Sequence, residues 1–179
     1  METSELVEAV RRRATDPATR TDMGAALPVQ PPLRAEAEAR SVERLGFRPP
    51  ELFLVLLREV GNGGFGPGYG FLGLEEGEVN EADETAVDFY CTSRTPDPDD
   101  PAWAWPERLV PVCSWGCAIY TCLDCTDDDM RLVQWDPNVW EPGTDPSVGL
   151  FEIATPLPRW LEDWVAGVHL WDQIYGAET

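Results

Sequence analysis

Two segments of the chain carry the hydrophobic pattern of packed helices. Between residues 52 and 57 every position is apolar, and Val60 follows, which is typical of a helix buried on all sides. Near the C-terminus apolar residues recur at i, i+3, i+4, i+7, i+8 and i+11, namely at Leu157, Trp160, Leu161, Trp164, Val165 and Val168. This spacing predicts one amphipathic helix that begins at Thr155, reaches Tyr175 and packs on a sheet.

Three more segments have helical patterns. The stretch "LRAEAEARSVERLG" is rich in strong helix formers and is stopped by Gly46, and "SELVEAVRRRATD" predicts a short helix. A further amphipathic helix is predicted to begin near Asn80. Its apolar face would carry Ala82, Ala86, Phe89 and Tyr90, and its polar face Asp83, Glu84 and Asp88.

The remaining apolar stretches have the pattern of strands. "YGFLGL" predicts a short strand, and "RLVPVCSW", "GCAIYTCLDC", "MRLVQWD" and "GLFEIA" predict four more. "TDDD" is a tight-turn sequence between two of them. Because strands joined by short turns pair antiparallel, the sequence predicts an α+β fold with a single domain, in which helices flank a mostly antiparallel sheet.

The domain is predicted to span residues 33–179, and residues 1–32 are predicted to be an accessory N-terminal arm. The arm holds the first short helix and ends in "GAALPVQPP", which has the composition of a linker. No internal repeat is visible.

The glycine-rich stretch "GNGGFGPGYG" is predicted to be a structural loop. It contains GxGxxG, but a dinucleotide fingerprint needs a strand before it and a helix after it, and here the predicted order is reversed. A P-loop or kinase-type loop needs a lysine, which the chain lacks. We expect glycines to provide backbone turns and two aromatic rings to anchor the loop, which comprises Gly61, Asn62, Gly63, Gly64, Phe65, Gly66, Pro67, Gly68, Tyr69 and Gly70.

Charge narrows the classes of partner. The 179 residues carry a net charge of -20, all of it in residues 51–179, because acidic residues and arginines balance in residues 1–50. Such a field repels nucleic acid and anionic membranes and attracts basic proteins, although it also serves solubility. No apolar run could span a membrane, no secretory signal is visible and the cysteines are odd in number, so a cytoplasmic protein is expected.

Four of the five cysteines, Cys113, Cys117, Cys122 and Cys125, lie within thirteen residues. They could form a zinc cluster, but in a regular strand over 117–125 Cys122 would point away from Cys117 and Cys125, which would themselves lie ~26 Å apart. Small buried side chains are the favoured interpretation. The single histidine, His169, is expected to be a partly buried helix residue rather than the base of a Cys–His pair.

Carboxylates and two tryptophans are the candidate partner-binding residues. Asp97, Asp99, Asp100, Asp127, Asp128 and Asp129 are predicted to form an acidic binding surface. Trp103 and Trp105 lie beside the first group, in "TPDPDDPAWAWP". They either anchor a protein interface or cover an edge of the sheet, and the sequence leaves both open.

The order "LGFRPPELFLVLLREVGNGGFGPGYGFLGL" resembles the SUKH superfamily, the family of the fungal cell-wall assembly regulator and of many bacterial toxin-immunity proteins. "PVCSWGCAIYTCLDC", "WDPN" and "LPRWLEDWVAGVHLW" fit as well, so that the resemblance covers roughly residues 33–171. It implies an α+β fold, no enzymatic activity and no catalytic residues to carry over. It also implies that many bacterial members bind and block a toxin, often a nuclease or deaminase.

Together, the resemblance and the charge predict a non-enzymatic protein-binding module, in particular an immunity protein that neutralises a basic toxin domain. A regulatory scaffold of the same fold without a toxin is the alternative. A metal-binding protein or enzyme that uses the cysteines or His169 is disfavoured. We predict no cofactor, no metal, and neither nucleic acid nor membrane as a partner.

Overall fold

A five-stranded antiparallel sheet lies at the centre of a computed structural model that describes residues 1–24 and 28–176. The strands follow the sheet in chain order and comprise β1 (Gly70–Phe71), β2 (Leu109–Gly116), β3 (Ile119–Asp124), β4 (Leu132–Trp135) and β5 (Leu150–Ile153). Neighbouring strands are adjacent in sequence and pair antiparallel throughout. The five strands predicted from the hydrophobic pattern are therefore confirmed.

Helices surround the sheet, which confirms the α+β class. They are α1 (Thr3–Thr15), α2 (Ala35–Leu45), α3 (Glu51–Glu59), α4 (Ala86–Arg94), α5 (Leu157–Val165) and α6 (Leu170–Tyr175). Helix α3 is buried, as its continuous apolar sequence predicts, and its Phe53 ring packs edge-on against Phe71 of β1. Phe71 also meets Trp160 of α5, so that α3, the sheet edge and α5 share one core.

The helix predicted from Asn80 begins six residues later, at Ala86. The Asn80 side chain accepts hydrogen bonds from the backbone N–H groups of Ala82 and Glu84, which stabilises a turn instead of a helix. Thr85 then caps α4 by accepting from the N–H of Asp88, whose carboxylate accepts in return from the N–H of Thr85.

The predicted C-terminal helix is two helices. α5 ends at Val165, and Gly167 follows with φ of 83°, a left-handed conformation that ends helices and favours glycine. Val168, predicted on the apolar face, is exposed as a result. After the break α6 turns so that Trp171 packs against Trp115 of β2, with ring centroids 5.4 Å apart.

Helix α1, in the segment predicted to be an accessory arm, packs on α3 and α5. Leu6, Val7 and Val10 are buried in the common core, and the N-terminal ammonium group lies 2.8 Å from the Glu162 carboxylate of α5. Further on, the N–H of Gly66 donates to the carbonyl of Arg20, so the arm also contacts the glycine loop. The division at residue 32 stays a prediction.

Among the residues that the structure describes, no helix is both long and apolar enough to cross a membrane.

Candidate functional site

The residues of the predicted acidic surface lie in two separate loops. Asp97, Asp99 and Asp100 follow α4, whereas Asp127, Asp128 and Asp129 form the turn between β3 and β4. Trp135, at the far end of β4 from that turn, contacts the aromatic rings that follow the first group. The two groups therefore lie beyond opposite ends of β4.

Each aspartate group also stabilises its own loop. Asp97 accepts from the N–H of Asp99, and Asp100 accepts from the N–H of Gly143 at 3.0 Å, which ties its loop to the loop before β5. In the other turn Asp127 accepts from the N–H of Asp129 and pairs with Arg131 at 3.0 Å. Asp97, Asp99 and the three turn aspartates remain exposed, so they are accessible to a partner.

The two tryptophans predicted beside the acidic loop differ in exposure. Trp105 is only 1% exposed and donates its indole N–H to the carbonyl of Leu109, so it covers the sheet and cannot meet a partner in this conformation. Trp103 is half-buried and stacks on Trp105, with ring centroids 6.0 Å apart. Its edge meets Trp140, also half-buried, at 5.3 Å. Trp103 and Trp140 thus form the accessible side of an aromatic cluster beside the acidic loop.

Most arginines are already paired within the chain. Arg48, between α2 and α3, and Arg58 of α3 both pair with Glu38 and with Glu51. Arg34 and Arg40 both pair with Glu76. The excess negative charge is therefore carried by the carboxylates that have no arginine partner.

The glycine loop is organised around the side chain of Asn62, which is buried. Its amide N–H donates to the carbonyl of Glu75 at 2.9 Å, and its carbonyl oxygen accepts from the N–H of Leu74 at 2.9 Å. The backbone carbonyl of Asn62 accepts from Glu78 as well. One residue thereby joins the end of α3 to the segment that follows β1.

Phe65 and Tyr69 of the glycine loop point in opposite directions. Phe65 is completely buried and packs edge-on against Phe71, as expected of an anchor. Tyr69, also predicted to anchor the loop, is instead 52% exposed. Gly68 precedes it with φ of 58°, and a Cβ there would lie 2.5 Å from the carbonyl oxygen of Ser114. Glycine therefore allows the loop to run against β2 while the tyrosine side chain faces solvent.

A cleft of about 550 Å³ lies beside Tyr69. Its apolar floor includes Leu72 and Trp115, which are both buried. Gly116 and Cys117, at the turn between β2 and β3, also line the cleft. The segment 78–81 forms the opposite side, where Glu78 and Glu81 contribute carboxylates and Val79 is exposed. The cleft is thus apolar at its base and acidic along one rim.

The four clustered cysteines do not converge. Cys113, Cys122 and Cys125 are buried, and burial raises the pKa of each thiol, that of Cys125 to about 12. Cys117 lies in the turn between β2 and β3 rather than in a strand, with φ of 53°, and is exposed. Over residues 1–24 and 28–176, no three His, Cys, Asp or Glu side chains are placed to hold a metal ion. His169 is the N-cap residue just before α6. Its ring contacts Asp172 at 3.2 Å, and it is exposed rather than partly buried as predicted.

Sequence patterns did not reveal the cleft. Its lining comes from the glycine loop, from the turn between β2 and β3 and from segment 78–81, which are separated along the chain. Alternating glycines around Tyr69 were the available signal, because each glycine with positive φ changes the direction of the backbone and can turn a ring outward.

Comparison with protein families identifies the family of the chain. The family model of the SMI1 / KNR4 family (SUKH-1) matches residues 36–163, which is well over half of the chain. The matched range includes nearly all of α2, all of α3 and α4, most of α5, all five strands and the glycine loop. No curated protein is similar enough to count as a match. The chain belongs to the SMI1 / KNR4 family (SUKH-1).

Proposed function

We propose that this protein is a non-enzymatic module that binds another protein and acts as an immunity factor by occluding a basic toxin domain. Its family, which is generally non-enzymatic and includes immunity proteins, supports the proposal. The observation that carries the choice of partner is the uneven charge: the whole surplus of -20 falls in residues 51–179, whereas most arginines are paired internally. This negative charge would attract a basic domain by long-range electrostatics.

The aspartates of the two loops are proposed to contact the positively charged groups of the partner. Asp97, Asp99 and Asp100 lie beside the half-buried rings of Trp103 and Trp140, which would add apolar contact area of the kind that anchors interfaces. Asp127, Asp128 and Asp129 would contribute from the other end of β4. Trp105 acts indirectly, because it supports Trp103 from below.

A pull-down tests this proposal. The purified chain is used as bait for basic toxin domains encoded in the same genome, and variants with Asp97 and Asp99, or Asp127 and Asp128, changed to Asn are compared with it. We expect one domain to be retained by the wild type and more weakly by each double variant. Failure to retain any basic domain contradicts the proposed function.

A regulatory scaffold without a toxin is the second candidate, and gene neighbourhood separates the two. An adjacent toxin gene supports immunity, whereas a housekeeping operon supports the scaffold. Elemental analysis addresses the metal-binding alternative: stoichiometric zinc that is lost in Cys113→Ser or Cys122→Ser would replace both proposals.

A further inference from the structure

We propose that the cleft beside Tyr69 is a docking site for an arginine side chain, presented by an extended segment of the protein partner. The inference rests on the proposed protein-binding function and assigns a second contact point, separate from the aspartate loops. The volume of the cleft, about 550 Å³, lies within the range of sites that enclose a ligand group.

Tyr69 is held in place although its ring does not contribute to the core. Its backbone N–H donates to the carbonyl of Ser114 at 2.8 Å. Its ring lies against Gly116 of the same strand, β2, where an added Cβ would come within 2.9 Å of Cε2. A half-exposed aromatic ring that packs on a strand loses little conformational freedom on binding, which is the property of an interface anchor.

The rim of the cleft carries negative charge that no arginine of the described residues neutralises. Glu78 accepts a hydrogen bond from the uncharged amide of Gln30 at 2.6 Å, and Glu81 is exposed beside the hydroxyl of Tyr120 at 3.4 Å. The preceding pair in the sequence differs, since Glu75 and Glu76 both have arginine partners. A cationic group is therefore the ligand that complements Glu78 and Glu81.

Arginine fits this combination better than lysine or an anion. A guanidinium group can stack flat on an aromatic ring and at the same time donate two hydrogen bonds to a carboxylate. One arginine side chain would therefore contact both Tyr69 and Glu81. The methylene stem of the side chain would lie on the apolar floor formed by Leu72 and Trp115. An anion would meet only the two glutamates and is disfavoured.

The test uses the full chain and a probe, so it does not require the partner. N-acetyl-arginine methylamide is titrated and followed by NMR at the Trp115 indole and at the amides of residues 69, 79 and 116. N-acetyl-citrulline methylamide, which has nearly the same shape without the charge, is the matched control. We expect saturable shifts at the cleft with the arginine probe and binding about 2- to 5-fold weaker with citrulline.

Variants locate the effect on the rim. Tyr69→Ala and Glu81→Gln should each weaken arginine binding about 2- to 5-fold. Tyr69→Phe keeps the ring and should bind as the wild type does, which shows that the ring and not the hydroxyl is the anchor. Unchanged amide signals outside the cleft show that Tyr69→Ala remains folded. Glu152→Gln, an exposed carboxylate on β5 at the opposite edge of the sheet from the cleft, should have no effect.

Three outcomes overturn the inference: no saturable shift at the cleft, shifts confined to the aspartate loops, or equal binding of citrulline. A toxin domain bound unchanged by Tyr69→Ala and Glu81→Gln would also overturn it, yet would leave the proposed function standing. Arginine binding at the cleft with no toxin domain retained would contradict only the proposed function.

Discussion

Replacement of Asn62 by alanine should destabilise the protein more than any other change to an uncharged polar side chain of the glycine loop. The Asn62 side chain is buried and connects the loop to Leu74 and Glu75 through two hydrogen bonds of 2.9 Å. In Asn62→Ala both bonds are lost, and the N–H of Leu74, a completely buried residue, loses its acceptor.

The magnitude follows from these groups. The lost hydrogen bond to Glu75 contributes about 1 kcal/mol, and the buried N–H of Leu74 left without an acceptor costs about 1–3 kcal/mol, so the free energy of unfolding should fall by about 2–4 kcal/mol. For a chain of this length each 1 kcal/mol lowers Tm by about 2–4 °C. The melting temperature should therefore fall by roughly 5–15 °C, again from these values.

Urea unfolding followed by tryptophan fluorescence and circular dichroism measures the effect. Asn138→Ala is the matched control, because Asn138 is exposed and donates only to Asp136, and it should cost less than about 1 kcal/mol. The m value should be equal in the three proteins. A loss in Asn62→Ala no larger than in the control would refute the role given to Asn62.

Three further predictions concern the arm, pH and the thiols. Leu6→Ala should cost about 2–5 kcal/mol in urea unfolding if α1 belongs to the folding unit, whereas an unchanged midpoint would mean an independent arm. The Asp22 carboxylate accepts hydrogen bonds from Gly68 and Trp164, and burial raises its pKa above the usual 3.8. The folded state therefore binds the proton more tightly than the unfolded chain. Wild type should therefore lose stability relative to Asp22→Asn as the pH rises from 3.8 through the raised pKa, and a flat difference would contradict this. In the native protein a thiol reagent should modify Cys117 first, and this fast phase should vanish in Cys117→Ser; an equally fast reaction of the buried thiols would show that the structure opens there.

Much of the fold could be predicted because its signals are local. The strands lie in short apolar runs separated by turn residues, and α3 is a continuous apolar helix. The start of α4 was also readable, since Thr85 and Asp88 have the spacing of a capping box. The C-terminal helix was predicted as one because the apolar spacing from Leu157 onward continues past Gly167. The left-handed conformation of Gly167 in fact separates α5 from α6.

The candidate sites were less predictable because they depend on distant contacts. Trp105 lies in a proline-rich acidic sequence, which does not distinguish an exposed ring from a buried one. Only the folded chain places its indole N–H within hydrogen-bond distance of the carbonyl of Leu109. Tyr69 looks like an anchor, but its exposure depends on the close approach of Gly68 and Gly116 to neighbouring elements. Neither position has a sequence pattern that sets its burial.

The association rate of the complex, measured against salt, tests the central claim most directly. The purified chain is mixed with the basic toxin domain retained in the pull-down, and the rate constant is followed as ionic strength rises through ~0.1 M, where the Debye length is about 10 Å. If the negative charge of residues 51–179 steers a basic partner, the association rate should fall by about 10-fold or more while the dissociation rate changes less. An association rate that does not depend on salt would contradict the account.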